Sequence, residues 1–346
     1  MRELAKYSFA NAKIRAMLSR ILDSTTLQQL RRVKDIYELV DSLTQTHYQE
    51  VLRSIDWGNF DITDLERRLI RYAIARFRRV YTAINGSVEK VLVNLLLQRY
   101  ELEELKVILR IWHKKLSVNI EDYLIGEDLG AHLQPHKLLA CASLEEIIVL
   151  LDETPYKKPL INARNNYKVH NSIFYIEAAL DVDYYRRLWQ CVDKLSNNDK
   201  IIARNILAVV VDIENIHWLI RMRKYYSMGI GEMLEGILPG GAWITKERLS
   251  QVYASDGLGK VIESISLGPY AQLKSLVEEN ITFLEGFLFD FLQQKIRQAM
   301  SGFPFTIGTV LGYLLLMQKE TQAVISLLNA KVLGLASEET EYIVRI

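Results

Sequence analysis

One short pattern occurs three times along this chain, and each copy ends on a tyrosine: Tyr48, Tyr156 and Tyr270. In every copy, aliphatic residues stand twelve, nine, eight and five positions before the tyrosine, which places them on one face of a helix. They are Ile36, Leu39, Val40 and Leu43 in the first copy, Leu144, Ile147, Ile148 and Leu151 in the second, and Leu258, Val261, Ile262 and Ile265 in the third. A triplicated helical unit is typical of rings, funnels and stacks that hold other molecules. The pattern therefore favours such a protein over one built around a single catalytic pocket.

The residue before the tyrosine indicates where each of these helices ends. It is Pro155 in the second copy and Pro269 in the third, and His47 occupies this place in the first. Proline ends a helix because it cannot donate the next backbone hydrogen bond. We therefore predict a helix that stops at a corner directly before the tyrosine.

Two acidic positions repeat in phase with the tyrosines. Glu66, Glu177 and Glu285 each follow an aliphatic residue, and Glu103, Glu214 and Glu320 lie 37, 37 and 35 residues later. Arg110 and Arg221 stand seven residues after Glu103 and Glu214, and Leu327 takes this place in the third copy. Because a partly buried carboxylate needs a charged or hydrogen-bonding partner, we interpret these Glu and Arg side chains as contacts between neighbouring helices. The alternative is that they line a shared polar cavity.

The repeat predicts three similar helical domains, with boundaries at 1–118, 119–228 and 229–346. Segments 126–134 and 229–241 have a looser, glycine-containing texture and are interpreted as linkers or hinges. Alternation typical of strands is missing over any useful length, while proline is scarce, with 6 residues in 346. We therefore predict an all-α protein.

Composition excludes several classes of function. A hydrophobic fraction of 49% and a charged fraction of 25% are ordinary for a soluble folded protein. The formal net charge of +1 gives no global field that would recruit nucleic acid or a membrane surface. The longest apolar stretches, such as 307–317, are too short to cross a bilayer. Two cysteines in unrelated contexts are typical of a reducing compartment, so we expect a cytoplasmic protein.

Chemistry-bearing motifs are few. The pairs Asp181/Asp183 and Asp212/Glu214 leave open an all-α enzyme that uses magnesium-bound carboxylates, although their spacing is incomplete for a shared site. No histidine stands in a recognisable nucleophile motif, and His132 and His136 lack a third ligand at metal spacing. We expect no catalytic residue, no cofactor and no bound metal.

Arginines are concentrated in one stretch, at positions 67, 68, 71, 76, 78 and 79. Arg67, Arg71 and Arg78 fall near one helical face, because steps of four and seven residues return to almost the same angle. We interpret Arg67, Arg71, Arg78 and Arg79 as a contact face for an acidic protein partner. The alternative is a solvated face with no partner.

Several segments together resemble one family. They are the opening Tyr7-x-x-Ala10-Asn11-Ala12-Lys13-Ile14-Arg15-Ala16-Met17, the corner Thr154-Pro155-Tyr156, the string Ile176-Glu177-Ala178-Ala179-Leu180-Asp181, the run Gly312-Tyr313-Leu314-Leu315-Leu316 and the late pair Gly334-Leu335. This ordered set, over essentially the whole chain, is similar to the C subunit of archaeal and bacterial V-type ATP synthases, whose counterpart in eukaryotic V-ATPases is the d subunit. Two features depart from the family: His47 replaces the proline of the first corner, and residues 320–325 replace an Asn-, Leu- and Arg-rich helix.

The resemblance implies a funnel of three helical domains about a pseudo-threefold axis, without catalytic residues. Its implied partners are the central-shaft subunits D and F and the membrane proteolipid ring. The implied role is to join shaft and ring and transmit torque from a peripheral position on the cytoplasmic face of the membrane. The main alternative is a helical-repeat adaptor unrelated to a rotary motor.

Overall fold

The computed structural model describes residues 2–53, 55, 60–126, 133–222, 229–252, 262, 263, 265, 266, 268–275 and 282–335. All regular secondary structure in these residues is helical, which confirms the predicted all-α class. The helices in chain order are α1 (Arg2–Leu18), α2 (Ser24–Arg32), α3 (Ile36–Thr44), α4 (Gln49–Leu52), α5 (Ile62–Ala83), α6 (Ser87–Lys114), α7 (Pro135–Ala140), α8 (Leu144–Leu150), α9 (Lys157–His170), α10 (Phe174–Val192), α11 (Asn197–Arg221), α12 (Ile230–Glu235), α13 (Lys246–Val252), α14 (Thr282–Met300) and α15 (Ile307–Val332). Two 3₁₀ turns, Ile120–Asp122 and Gly268–Tyr270, are also present, and residues 262, 263 and 265 are helical.

Local sequence explains where several helices begin. The residue before the helix is in extended conformation, and its side chain accepts a hydrogen bond from a backbone N–H of the first turn. Such caps satisfy donors that the helix itself leaves open, and each typically contributes about 1 kcal/mol. The capping residues are Asp23, Asp35, Asp61, Ser143 and Thr306.

The chain divides into two compact units, each made of separate stretches. Unit 1 comprises residues 1–93, 195–206 and 272–346, and unit 2 comprises 94–194 and 207–271. The division falls inside α6 and α11. The three domains predicted from the repeat, and their pseudo-threefold arrangement, stay a prediction.

In unit 1, the last helix of the chain packs against the first corner. Apolar side chains from α2, α3 and the start of α5 form one core with the second half of α15. The most deeply buried members are Leu39, Leu43, Tyr48, Leu65, Leu69, Val324, Leu327 and Leu328. Each such side chain contributes roughly 1.5 to 3 kcal/mol when fully buried. Because the core combines residues 22–69 with residues 323–328, this burial holds distant parts of the chain together. The predicted aliphatic face of the first copy lies inside it.

In unit 2, α9 and α10 form an antiparallel hairpin that α8 packs against. The turn begins at Asn171, which ends α9 in the left-handed conformation with φ 47°. Asparagine tolerates this backbone better than most residues and is a common helix terminator. Leu144, Ile147 and Ile148 of α8 are buried, as the second copy of the repeat predicts.

Segment 229–245 is fastened to neighbouring helices of unit 2. The Asn215 side chain accepts a hydrogen bond from Leu238 N at 2.8 Å and donates to the carbonyls of Leu238 and Ile244 at 3.1 and 3.0 Å. Trp189 Nε1 donates to Pro239 O at 2.7 Å. These contacts do not support the interpretation of residues 229–241 as a loose linker. The other predicted linker, 126–134, lies largely outside the described residues.

Gly240 is the most constrained glycine in this segment. Its φ is +88°, and a Cβ at this position would overlap the Trp189 indole. We predict that Gly240→Ala lowers the free energy of unfolding by about 1 to 3 kcal/mol, because a side chain is strained at this φ and the ring must also move. Chemical denaturation checks the value.

The matched control is Gly231→Ala. Gly231 lies in α12, and a Cβ there meets nothing within 4 Å. Alanine favours a helix over glycine, so this variant should be neutral or slightly more stable. Equal effects of the two substitutions would contradict the proposed constraint at Gly240.

Candidate functional site

The hydroxyl of the first repeated tyrosine forms a hydrogen bond with a buried carboxylate in unit 1. Tyr48 donates its hydroxyl to Glu320 Oε1 of α15 at 2.8 Å, and both residues are 1% exposed. The other carboxylate oxygen, Oε2, accepts from the backbone N–H of Leu22 at 2.6 Å. A buried charge is costly unless it is hydrogen-bonded, so Glu320 holds α15 and the first corner in one register.

The second and third tyrosines, both in unit 2, make the same kind of contact. Tyr156 donates to Glu101 Oε1 of α6 at 2.5 Å, and Tyr270 donates to Asp212 Oδ2 of α11 at 3.2 Å. Asp212 also accepts from the backbone N–H groups of Trp243 and Ile244, at 3.0 and 2.8 Å. In all three cases a carboxylate on a long helix receives the tyrosine of a corner.

The first two corners also share their backbone geometry. The hydroxyls of Thr46 and Thr154 donate to the carbonyls of Leu43 and Leu151, at 2.6 and 2.7 Å. In both corners the same hydroxyl oxygen accepts from the N–H of the tyrosine two residues later, at 3.2 Å. The sequence Thr-x-Tyr therefore builds the same turn around His47 and around Pro155.

All three phenols remain hydrogen-bond donors. Burial, and then the negative charge of the neighbouring carboxylate, raises the pKa of Tyr48, Tyr156 and Tyr270 above the ordinary tyrosine value. Burial also raises the pKa of Asp212, although the N–H donors around it act in the opposite direction.

One of the later repeated glutamates is a corner carboxylate. In the other two copies the acid two residues earlier takes that place, which shifts the register of the contact. Glu320 is the corner carboxylate, but its counterparts are Glu101 and Asp212, two residues before the predicted Glu103 and Glu214. Two residues correspond to about 200° of rotation on a helix, so Glu103 and Glu214 point in another direction. Both are partly exposed.

The corrected register also identifies a second repeated contact. Arg110, Arg221 and Asn329 each lie nine residues after a corner carboxylate, so Asn329, and not the buried Leu327, is the third member. Arg110 Nε and Nη2 bind Glu177 at 2.5 and 3.1 Å in unit 2, and Asn329 donates to Glu66 in unit 1. Through these pairs the first repeated glutamate binds a neighbouring helix in two copies.

The remaining copy can be described only from one side. Arg221 is exposed, with its guanidinium 5.6 Å from the centre of the Trp218 ring. The side chain of Glu285 lies outside the described residues.

A charged seam joins α6 to α10 in unit 2. Arg99 contacts Asp181 and Glu103, each at 2.7 Å, and Lys106 contacts the same two carboxylates, each at 3.0 Å. Burial alone would raise the pKa of Asp181, but Arg99 and Lys106 outweigh it and hold this pKa below the ordinary aspartate value.

The same seam bears on the magnesium-enzyme alternative. Asp181 is engaged by two cations, and Asp183 binds Arg187 at 3.0 Å. In the part of the chain that the structure describes, no group of three or more His, Cys, Asp or Glu side chains is arranged to hold a metal. Asp181 and Asp183 therefore act as partners of arginine and lysine, and Asp212 accepts from the Tyr270 hydroxyl and two backbone N–H groups.

The arginines of α5 divide into three groups. Arg71, Arg78 and Arg79 are exposed, while Arg67 is half-buried and lies 3.6 Å from Asp64. Arg68 binds the same aspartate at 2.6 Å. The predicted partner-contact residues therefore share one helix, but only Arg71, Arg78 and Arg79 present an exposed basic face.

Arg76 forms the third group, and its role was not predicted. It is buried, donates to the Tyr72 hydroxyl, and lies 3.4 Å from Tyr313 OH and 3.3 Å from His47 Nδ1. Arg76 stands seven residues after the core residue Leu69, and this spacing is the signal that could have placed it inside.

Among the described residues, none of the helices combines the length and apolar character needed to span a lipid bilayer.

The Tyr156–Glu101 contact should contribute measurably to stability. We predict that Tyr156→Phe lowers the free energy of unfolding by about 1 to 3 kcal/mol, because it removes a donor from a buried carboxylate. In a double-mutant cycle with Glu101→Gln, denaturation should give a coupling of at least about 0.5 kcal/mol, the lower limit for residues in contact. Tyr123→Phe, at an exposed tyrosine, is the control. Additive effects of Tyr156→Phe and Glu101→Gln would contradict a direct contact.

The seam should make stability depend on acid pH through Asp181. Its folded-state pKa lies below the unfolded value of about 3.9, so its stabilisation is complete above that value and is lost as the pH falls through the folded pKa. We expect Asp181→Asn to lower stability at pH 7 by about 1.5 to 3 kcal/mol and to reduce the loss between pH 5 and about pH 2. Guanidinium unfolding midpoints across this range measure both effects.

The control for this experiment is Asp290→Asn, at an exposed position of α14. It should leave both the stability at pH 7 and its acid dependence near the wild-type values. If Asp181→Asn lost as much stability as the wild type between pH 5 and about pH 2, the contribution of the seam would not depend on this carboxylate.

Comparison with known proteins places the chain in a family. Residues 10–342 match the model of the ATP synthase (C/AC39) subunit. The C subunit of the A-type ATP synthase of Methanocaldococcus jannaschii is 24% identical over 97% of this chain and 86% of its own length. The corresponding proteins of Thermococcus onnurineus and Pyrococcus abyssi are 24% and 26% identical, each over 91% of this chain and 84% and 83% of their own lengths. These matches confirm the resemblance drawn from the sequence, and the chain belongs to the ATP synthase (C/AC39) subunit family.

Proposed function

We propose that this chain is a non-catalytic subunit of a rotary ATP synthase or ATPase, the one that couples the central shaft to the membrane ring. Its proposed partners are shaft subunits D and F and the proteolipid ring. It holds both through non-covalent contacts and transmits torque, from a peripheral position on the cytoplasmic face of the membrane. Family membership supports the complex, since the relatives are C subunits of A-type ATP synthases.

The repeated tyrosine–carboxylate corner is the observation that carries the coupling role. A protein that transmits torque must be stiff, because rotation that deforms its own helices is not passed on to the partner. Each corner supplies a buried, directional contact between a long helix and a corner, and close-packed apolar side chains surround it. The three carboxylates that make these contacts, Glu101, Asp212 and Glu320, are all buried.

The exposed basic face of α5 is the proposed partner contact. Arg71, Arg78 and Arg79 present three guanidinium groups on one helix of unit 1, and Arg67 stands at its edge. Guanidinium groups bind carboxylates in a forked, directional geometry, so this face suits an acidic segment of shaft or ring. Such polar contacts can hold a partner and still allow release.

Reversing charge on this face should weaken docking without unfolding the chain. We predict that Arg71→Glu combined with Arg78→Glu reduces co-purification with the D–F pair or with the proteolipid ring of the same host at least about tenfold, because like charges now face each other. Circular dichroism should remain that of the wild type, since both side chains are exposed.

The control variant is Arg164→Glu combined with Arg186→Glu, an equal change in charge at exposed positions of unit 2. It should keep wild-type binding. Unchanged binding of the Arg71/Arg78 variant would reject the α5 face but leave the coupling role intact. A wild-type chain that captures neither the D–F pair nor the ring would reject the coupling role and favour a helical-repeat adaptor.

A further inference from the structure

The first corner differs from the other two in the length of chain that it closes. Tyr48 and Glu320 are 272 residues apart, whereas Glu101 and Tyr156 are 55 apart and Asp212 and Tyr270 are 58 apart. The entropic cost of closing a loop rises with its length. The first corner is therefore the one at which the carboxylate and the tyrosine are least constrained by the chain between them.

His47 adds contacts to this corner that proline cannot make. Its Nε2 lies 2.8 Å from Glu320 Oε1, and its Nδ1 lies 3.3 Å from Arg76 Nη2. The Tyr72 hydroxyl also donates to the backbone carbonyl of His47 at 2.6 Å, a contact that the carbonyl of a proline could equally accept. The His47 side chain is only 4% exposed. The histidine thus joins α15, the corner and α5.

The partners of His47 define its hydrogen-bonding state. The Arg76 guanidinium can only donate, so Nδ1 accepts from it. Nε2 then carries the proton and donates to Glu320. Glu320 in turn receives three donors: the Tyr48 hydroxyl, His47 Nε2 and the Leu22 N–H. We name this group of contacting residues, His47, Tyr48, Arg76 and Glu320, the node. Its contacts with α15 depend on one carboxylate, that of Glu320.

Residues 24–52, which we name the strap, have little capacity to be ordered alone. Their helices α2, α3 and α4 contain 9, 9 and 4 residues. Helices shorter than about 12 residues are marginal in water without tertiary packing. The packing comes from α5, the next long helix along the chain, and from the second half of α15.

The distant anchors of the strap lie on residues 320–331 of α15. Glu320 binds the corner, and Lys331 Nζ donates to Val33 O at 2.6 Å. Between them, Val324, Leu327 and Leu328 pack into the strap core. Losing the Glu320 contacts would therefore loosen the strap and this part of α15 together.

A cavity of about 680 Å³ lies against the node. It is lined by the turn 20–23, by side chains of α2, and by Gln45, Thr46 and His47. Its polar lining includes Arg20, Asp23 and Thr26, which water can solvate. The cavity therefore extends up to His47, one of the two residues of the His47–Glu320 contact.

We propose that the strap is a releasable clasp: it opens from residues 320–332 of α15 as one unit, at the His47–Glu320 contact, while the rest of the fold stays closed. The strap is then the part of the protein that can detach while the rest of the chain stays folded. The proline corners of unit 2 lack it, because short connections hold their carboxylate and tyrosine together.

Hydrogen–deuterium exchange of the full chain, followed by mass spectrometry, tests the clasp. In the wild type, amides of the strap and of residues 320–332 should exchange faster than those of α9 and α10. Glu320→Gln leaves one acceptor oxygen for three donors, so we expect at least roughly tenfold faster exchange in the strap and unchanged exchange in α9 and α10. Equal rates in the two regions of the wild type, or equal acceleration by Glu320→Gln, would overturn the proposal.

Two further variants separate the clasp from general loss of stability. His47→Pro removes the imidazole contacts but suits the backbone, since Pro155 occupies the same turn. It keeps the Tyr48–Glu320 contact and should still accelerate exchange in the strap, so it carries the test if Glu320→Gln does not fold. Glu101→Gln should accelerate exchange around Tyr156 and leave the strap unchanged. An unaltered strap in His47→Pro, or a strap accelerated equally by Glu101→Gln, would refute the clasp.

Discussion

The buried hydrogen bond between a tyrosine hydroxyl and a carboxylate is the interaction on which the corners depend. A carboxylate inside a helical core is tolerable only with donors on its oxygens, and only one position of the corner along the long helix supplies them. Apolar packing alone would allow the helix to slide, because leucine and isoleucine are satisfied by many neighbours. Tyr48–Glu320, Tyr156–Glu101 and Tyr270–Asp212 thus specify register as well as attachment.

The three corners solve one problem with different side chains. Glutamate accepts from the phenol in the first two corners. In the third, the shorter aspartate accepts from the phenol at 3.2 Å and also from the backbone N–H groups of residues 243 and 244. The second contact, nine residues further along the long helix, is Arg110 with Glu177 in unit 2 and the uncharged Asn329 with Glu66 in unit 1. The position of the contact is retained while its charge changes.

The sequence allowed the helical class and the aliphatic faces of the first two copies to be predicted, because both follow from periodicity. The burial of the tyrosines was not predicted. It did not identify the corner carboxylates, since Glu101 and Glu103, like Asp212 and Glu214, are acids two positions apart, and only the partner decides which one turns inward. For the arginines of α5, helical periodicity does distinguish exposed from buried positions. Relative to Leu69, Arg71 and Arg78 are rotated by about 200° and 180°, while Arg76 lies within about 20° of the core direction. The partner of Asn329 required coordinates.

Similar but unequal lobes suit the proposed coupling role. If the repeated units were identical, a shaft would have several equivalent binding positions and could move from one to another under torque. Arg110 binds Glu177 in unit 2, whereas the uncharged Asn329 takes the place of the arginine in unit 1, and the exposed arginines of α5 give unit 1 a basic face. Misplaced charges are penalised by several kcal/mol in an interface, so these differences would make one binding position preferred. In the proposed coupling role, the repeat would supply the rigid frame, and the departures from it would set the orientation of the shaft.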